Sequence, residues 1–186
     1  MKLYIKNMVC SRCKMVVKSE FEKLGLQTIA VELGEVELEN EMSDKQKHAL
    51  LENLQALGFD LIDDKKSKTV ERIKTLIIDL VHHKNNDLKI NLSDYLAEDL
   101  SQDYNSLSNL FSEIENTTIE KYFISQKIEK VKELLVYNEL SLSEIADILN
   151  YSNVAHLSNQ FKKITGFTPT SFKKSKDKKR IQIENL

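Results

Sequence analysis

The sequence predicts an α+β chain, with a βαββαβ unit in the first third and an all-α unit after it in which one helical pattern occurs twice. Three observations carry this. Alternating apolar residues mark four short strands before residue 64, and nothing beyond reads as strand. Four Gly, one Pro and no Trp in 186 residues leave little material for tight turns and much for helix. A run of charges from Asp63 to Lys68 separates the two patterns, so we place the units at residues 1–64 and 69–186.

Taken in order, Lys2 to Lys6 alternates polar and apolar residues, as a half-buried strand does. Lys14 to Leu24 carries Val16, Val17, Phe21 and Leu24 at helical spacing, and Gly25 can close that helix in the left-handed conformation. Thr28–Leu33 and Glu35–Glu39 alternate on either side of Gly34, a hairpin signal. Ser43 suits the N-cap of a helix through Leu57, and Asp60–Asp63 makes a last short strand. The expected result is a four-stranded antiparallel sheet with two helices on one face, the arrangement called ferredoxin-like, around Leu3, Ile5, Val17, Phe21, Val31 and Leu54. Beyond it, Val70, Ile73, Leu76, Ile77, Leu80 and Val81 form one apolar stripe, so Thr69–Lys84 reads as an amphipathic helix. The stripe has the form of a short coiled-coil seam between two subunits; packing on the helices that follow is the plainer reading.

Charge is unevenly spread. A net charge of −2 argues against nucleic acid only if it is uniform. Residues 140–186 hold eight Lys and Arg against four Asp and Glu, whereas residues 67–139 hold nine against thirteen. The positive field therefore lies at the C-terminal end. No apolar run approaches the roughly 18 residues of a membrane span. The opening Met1-Lys2-Leu3-Tyr4-Ile5 reads as strand rather than signal peptide, so a cytoplasmic protein with no membrane partner is expected. No Ser, His or carboxylate cluster has catalytic spacing, and an enzyme is not expected.

The repeated pattern is a short helix opening with Ser, a polar turn, and a second helix with apolar residues four apart. It runs first through Ser93, Ala97, Leu100, Leu107 and Phe111, then through Ser143, Ala146, Leu149, Leu157 and Phe161. Small Ala97 and Ala146 suit the close crossing of two helices, and Asn150 stands where a left-handed residue is wanted. On the second helix Leu157 and Phe161 point inward, leaving Ala155, His156, Asn159, Lys162 and Lys163 outward, with Ser152 and Asn153 at its N-terminus. A helix of this size fits the major groove. Asn159 can read adenine, and the lysines can meet phosphates.

The run Leu142-Ser143-Glu144-Ile145-Ala146, Tyr151-Ser152-Asn153, His156 through Pro169, and Phe172-Lys173 resembles the AraC/XylS signature in order and in gap lengths. The resemblance covers roughly residues 69–175. It implies a seven-helix domain with two helix-turn-helix motifs that reads double-stranded DNA in a bacterial transcription regulator. It places base-reading positions on Val154, Ala155 and Asn159, with Asn153, His156, Ser158, Lys162 and Lys163 around them. In the first motif they fall on Asn105 and Asn109, beside Tyr104, Ser106 and Ser108. The family often has Arg where this chain has Asn109 and Asn159. After Phe111 it usually has a basic pair and a Gly, whereas here Ser112-Glu113-Ile114-Glu115-Asn116 follows, so the first motif is expected to bind more weakly. Between the motifs, Ile119–Val136 reads as one helix of roughly 27 Å, near the roughly 34 Å of one DNA turn. A homodimer and a contact with RNA polymerase are further partners to test.

Met8-Val9-Cys10-Ser11-Arg12-Cys13, between the first strand and helix, resembles the heavy-metal-associated domain over residues 1–64, with Gly58-Phe59 resembling its Gly-aromatic pair. Asn7-Met8-Val9 departs from the Gly-Met-Thr common there. Cysteines at a helix start favour thiolate. Two soft ligands suit Cu(I), while structural Zn(II) normally takes four. The expected function is a regulator that senses a soft metal ion such as Cu(I) through Cys10 and Cys13. Three alternatives stay open: a redox switch, a domain that only dimerises or senses another signal, and a metal-trafficking or buffering protein. A thioredoxin-like site is disfavoured, since the sole proline, Pro169, lies in the other unit. Met8 is expected in the core, and His48, His82 and His83 in solvent.

Overall fold

Residues 1–62, 65–88, 90–174 and 183 are described by the computed structural model. Asp63 and Asp64 of the charge run lie outside the described residues, as do 175–182 and 184–186, which hold much of the basic C-terminal end. The chain divides into two units, Met1–Thr75 and Leu76–Leu186.

In the first unit, β1 (Lys2–Lys6), β2 (Thr28–Glu32), β3 (Glu35–Leu38) and β4 (Asp60–Ile62) form an antiparallel sheet in the order β2-β3-β1-β4. Helices α1 (Ser11–Lys23) and α2 (Asp44–Ala56) complete the βαββαβ order. Period-2 alternation turns Ile5, Val36 and Leu38 to the helices, where they pack with Val17, Phe21, Leu50 and Leu54, all essentially without solvent exposure. Leu3 and Val31, expected in that core, pack at its edge, half-buried. Ser43 starts α2 with a capping box: it accepts from the Gln46 N–H at 3.3 Å, and the Gln46 side chain accepts from the Ser43 N–H at 3.1 Å.

The next helix, α3, runs Lys65–Ile78 and continues as a π-helical turn over Asp79–His83. Its first residues belong to the sheet unit. The Asn7 N–H donates to Glu71 Oε1 at 3.2 Å, and the Lys68 ammonium lies 5.2 Å from the Tyr4 ring centre. Gly34, at φ +76°, turns β2 into β3 so close to this helix that a Cβ would fall 2.7 Å from Thr75 Oγ1. Val70, Ile73, Leu76, Ile77, Leu80 and Val81 are all buried. The stripe thus packs within the chain and is not a seam open to a second subunit.

The second unit is helical throughout its described residues, with α4 (Leu92–Leu100), α5 (Tyr104–Glu115), α6 (Ile119–Tyr137), α7 (Leu142–Ile148), α8 (Val154–Thr165) and α9 (Pro169–Lys174). Caps set these boundaries. Asp103, Thr118, Ser141 and Asn153 each accept from the backbone N–H three residues on. Ser101, Asn116, Asn138 and Asn150 take φ between 51° and 58° where helices end. His82, expected in solvent, is half-buried and shares a 2.9 Å hydrogen bond with Gln126 of α6. Burial holds its pKa down at about 4 against the raising influence of the Gln126 bond. Among the described residues no helix is long and apolar enough to cross a membrane.

Candidate nucleic-acid interface

The α7–α8 corner is built on the left-handed Asn150, φ 54°, after which the Tyr151 N–H returns to the Ala146 carbonyl at 2.8 Å. Asn153 Oδ1 then accepts from the His156 N–H at 2.8 Å and starts α8. Leu157 and Phe161 are fully buried, in one cluster with Ile128, Val131, Ile145 and Phe172. The opposite face leaves Ala155, His156, Asn159, Lys162 and Lys163 exposed, with Val154 and Ser158 half-buried beside them. One helix thus presents an amide, an imidazole and two ammonium groups from an anchored scaffold. Its N-terminal N–H groups and its C-terminal lysines suit phosphate at either end.

Beneath this face lies a support that the sequence did not disclose. Tyr151 donates to Gln160 Oε1 at 2.7 Å, and its ring meets the His156 ring edge-on at 5.3 Å between centres. The buried Lys127 ammonium from α6 sits 3.7 Å from the Tyr151 ring centre. Burial lowers Lys127 to about 8 and raises the Tyr151 hydroxyl above its usual range. Lys127 is twenty-four residues from Tyr151 in sequence and reads simply as one lysine of a charged helix.

The first motif has the same plan. Asp103 Oδ2 accepts from the Ser106 N–H at 3.0 Å, Leu107 and Phe111 are fully buried, and Asn105, Ser106 and Asn109 are exposed, with Ser108 half-buried. Tyr104 has a partner inside the domain. It is half-buried, and its hydroxyl donates to the Glu120 carboxylate at the start of α6. Burial and that carboxylate push the Tyr104 hydroxyl up, and the hydrogen bond holds Glu120 down.

Cys10 and Cys13 come together at the start of α1, with Sγ atoms 3.4 Å apart and both side chains partly exposed. Burial pushes the Cys10 thiol up, but its hydrogen bonds with Cys13 and with the Arg12 N–H outweigh this and leave it below its ordinary value. Burial raises Cys13 above its own. Met8 is buried beneath the loop, as expected. Asn7 adopts φ 71°, a left-handed conformation that Asn tolerates better than most side chains, and its amide donates to the Gly58 carbonyl at 2.9 Å. Among the described residues no three His, Cys, Asp or Glu side chains cluster as a metal site, so the thiol pair stands without a third such ligand.

Comparison with known proteins finds helix-turn-helix domains similar to this geometry. Residues 96–175 match a family described as a helix-turn-helix domain. Over 118 residues the chain is 26% identical to the uncharacterized HTH-type transcriptional regulator YtdP of Bacillus subtilis (strain 168); the match takes 63% of this chain and 15% of that protein. The C-terminal domain of AraT, a response regulator from Geobacillus stearothermophilus, superposes with a TM-score of 0.51 at 25% identity, covering 64% of this chain and 92% of that one. The C-terminal domain of the two-component response regulator yesN from Fusobacterium nucleatum subsp. nucleatum ATCC 25586 is 28% identical, with a TM-score of 0.48 over 55% of this chain and 98% of that one. The C-terminal part of the chain thus carries a helix-turn-helix domain, similar to those of a transcriptional regulator and a response regulator.

Proposed function

We propose that the protein is a sequence-specific transcription regulator that reads double-stranded DNA with α8 in the major groove and, more weakly, with α5. The observation that carries this is the exposed face of Ala155, His156, Asn159, Lys162 and Lys163 over a fully buried Leu157 and Phe161, inside the matched domain. Val154, Ala155 and Asn159 are assigned to base edges, with Asn105 and Asn109 in the first motif. Asn153, Ser158 and Lys162–Lys163 are assigned to the sugar-phosphate backbone. The test is to recover and sequence genomic fragments bound by the purified full chain at moderate salt. A common sequence among them is expected; recovery no different from the input library would overturn the reading.

We further propose that Cys10 and Cys13 bind a soft ion, with Cu(I) as the best fit, and that the first unit is the sensor. The 3.4 Å approach of the thiols, the lowered Cys10 and a helix start that favours thiolate support this. Anaerobic Cu(I) titration should show uptake that a Cys10→Ser/Cys13→Ser variant loses. Operator affinity should change with Cu(I), and by linkage DNA must change Cu(I) affinity by the same factor. Absence of uptake removes the metal reading, and uptake without any change in DNA affinity removes the sensor reading.

A further inference from the structure

Lys127 is a buried charge with no counter-charge. Only 7% of it is exposed, yet among the described residues its ammonium meets no carboxylate, only the rings of Tyr151 at 3.7 Å and Phe123 at 5.6 Å. Burial alone shifts its proton equilibrium, so no charged side chain stands near enough to offset that burial. Lys74 and Lys132, buried to the same degree, each pair with a glutamate three residues earlier. Taking a lone ammonium out of water is costly until an anion completes it. Among the described residues Nζ is not one of the fully enclosed polar atoms that lack a partner, so an anion from outside can meet it.

His156 adds a second unfilled donor beside it. The imidazole is exposed and meets the same Tyr151 ring edge-on at 5.3 Å. Its Nδ1 shares a 3.1 Å hydrogen bond with Ser152 Oγ, while Nε2 has no partner among the described residues. With the Ser152 hydroxyl donating to Nδ1, the proton of the neutral ring sits on Nε2. Tyr151 is itself anchored, its hydroxyl donating to Gln160 Oε1 at 2.7 Å. The ammonium and the imidazole centre thus stand within 5.3 Å of one fixed ring centre, beside the first turn of α8, where helix N–H groups also favour an anion. We propose, resting on the reading that α8 binds DNA, that Lys127 and His156 hold one phosphate of the duplex between them, seated against Tyr151. Lys127 then supplies, from α6, a phosphate contact that α8 itself does not contain. The phosphate completes the buried ammonium, and the Nε2–H donates to one of its oxygens.

Fluorescence anisotropy of the full chain on a duplex from the genomic selection tests this across a salt series. Lys127→Met should weaken binding roughly tenfold at about 0.1 M salt and reduce the salt slope by about one, alike for selected and random duplexes. Its melting temperature should not fall, because an apolar side chain replaces a lone buried charge. Lys127→Arg, which keeps the charge, should retain the slope. A scan of single methylphosphonate linkages, each removing one phosphate charge, should find one position that weakens the wild type and leaves Lys127→Met no worse. His156→Ala, at an exposed position, should also bind less tightly and feel that linkage less than the wild type does. An unchanged affinity or slope in Lys127→Met, or a scan in which every position acts alike on the wild type and both variants, overturns the phosphate seat while the DNA reading stands. A wild type that binds no duplex overturns both.

Discussion

The α4–α5 and α7–α8 motifs have one scaffold and opposite electrostatics. Residues fifty apart do the same work. Leu107 and Phe111 are buried like Leu157 and Phe161, and Asp103 and Asn153 cap the outer helices. Asn116 and Gly166 both take left-handed φ at the helix ends. Phe111 tilts against Tyr122 at 5.6 Å, and Phe161 against Phe172 at 5.5 Å. Thr118 and Thr168 then start the helices that follow. The outward positions diverge, with Ser112-Glu113-Ile114-Glu115 on the last turn of α5 where α8 has Lys162-Lys163-Ile164-Thr165. Packing thus specifies the shape of each motif, while a few exposed charges decide how well each suits a polyanion.

If the scaffolds are equivalent, Phe111→Ala and Phe161→Ala should each cost about 3–5 kcal/mol in urea unfolding, because each empties a fully buried aromatic site. A difference well beyond about 1 kcal/mol breaks the equivalence. The next effect acts on α6, which joins the motifs. His82 is held at about 4 in the fold, against the ordinary histidine value of about 6.5 in the unfolded chain. Between those values the unfolded chain carries a proton that the folded chain refuses, so stability falls as pH drops through that window. The loss is complete below about 4 and amounts to about 3 kcal/mol. Urea titrations at stepped pH should show this slope, and His82→Gln should flatten it.

DNA binding sharpens the contrast at smaller cost. Asn159→Ala is expected to lose about 1–3 kcal/mol on the operator and to relax sequence choice, with a smaller loss for Asn109→Ala. Lys162→Ala should weaken all duplexes alike and reduce the salt slope by about one. Fluorescence anisotropy across a salt series measures all three. Equal losses at Asn109 and Asn159 would remove the electrostatic account of the asymmetry.

What the sequence disclosed was whatever is periodic or capped. The four strands, the repeated apolar pairs, Ser43, Asn150 and Asn153 could be read because their signals span only a few residues. The sequence pattern starts this helix at Thr69, whereas α3 begins at Lys65, since Lys65–Lys68 has no apolar residue to set a phase, and the π-helical turn at Asp79–His83 has no local signal. Long-range polar contacts were equally hidden. His82 on Gln126, Tyr104 on Glu120 and Lys127 on Tyr151 join residues that only the fold brings together, so Tyr104 reads in sequence only as a neighbour of the base-reading positions, with no sign of its carboxylate partner. The φ of 71° at Asn7, ahead of the Cys10–Cys13 pair, has no local signal in the sequence either.

The smallest effect isolates charge from scaffold. Asp103 and Asn153 perform the same capping task, accepting from Ser106 N–H at 3.0 Å and His156 N–H at 2.8 Å. Asp and Asn are nearly equal as N-caps, so Asp103→Asn should change stability by no more than a few tenths of a kcal/mol. What it removes is a negative charge at the N-terminus of α5, the end where helix N–H groups would otherwise meet a phosphate. If α5 lies near the duplex, affinity should rise by about two- to fivefold at low salt, corresponding to roughly 0.3–1 kcal/mol, and the gain should fade as salt is raised. Anisotropy on one operator at low and high salt, set beside the melting temperature, separates the outcomes. A gain that survives high salt is not electrostatic, and no gain at any salt means that the first motif stays clear of the backbone, leaving α8 to carry recognition alone.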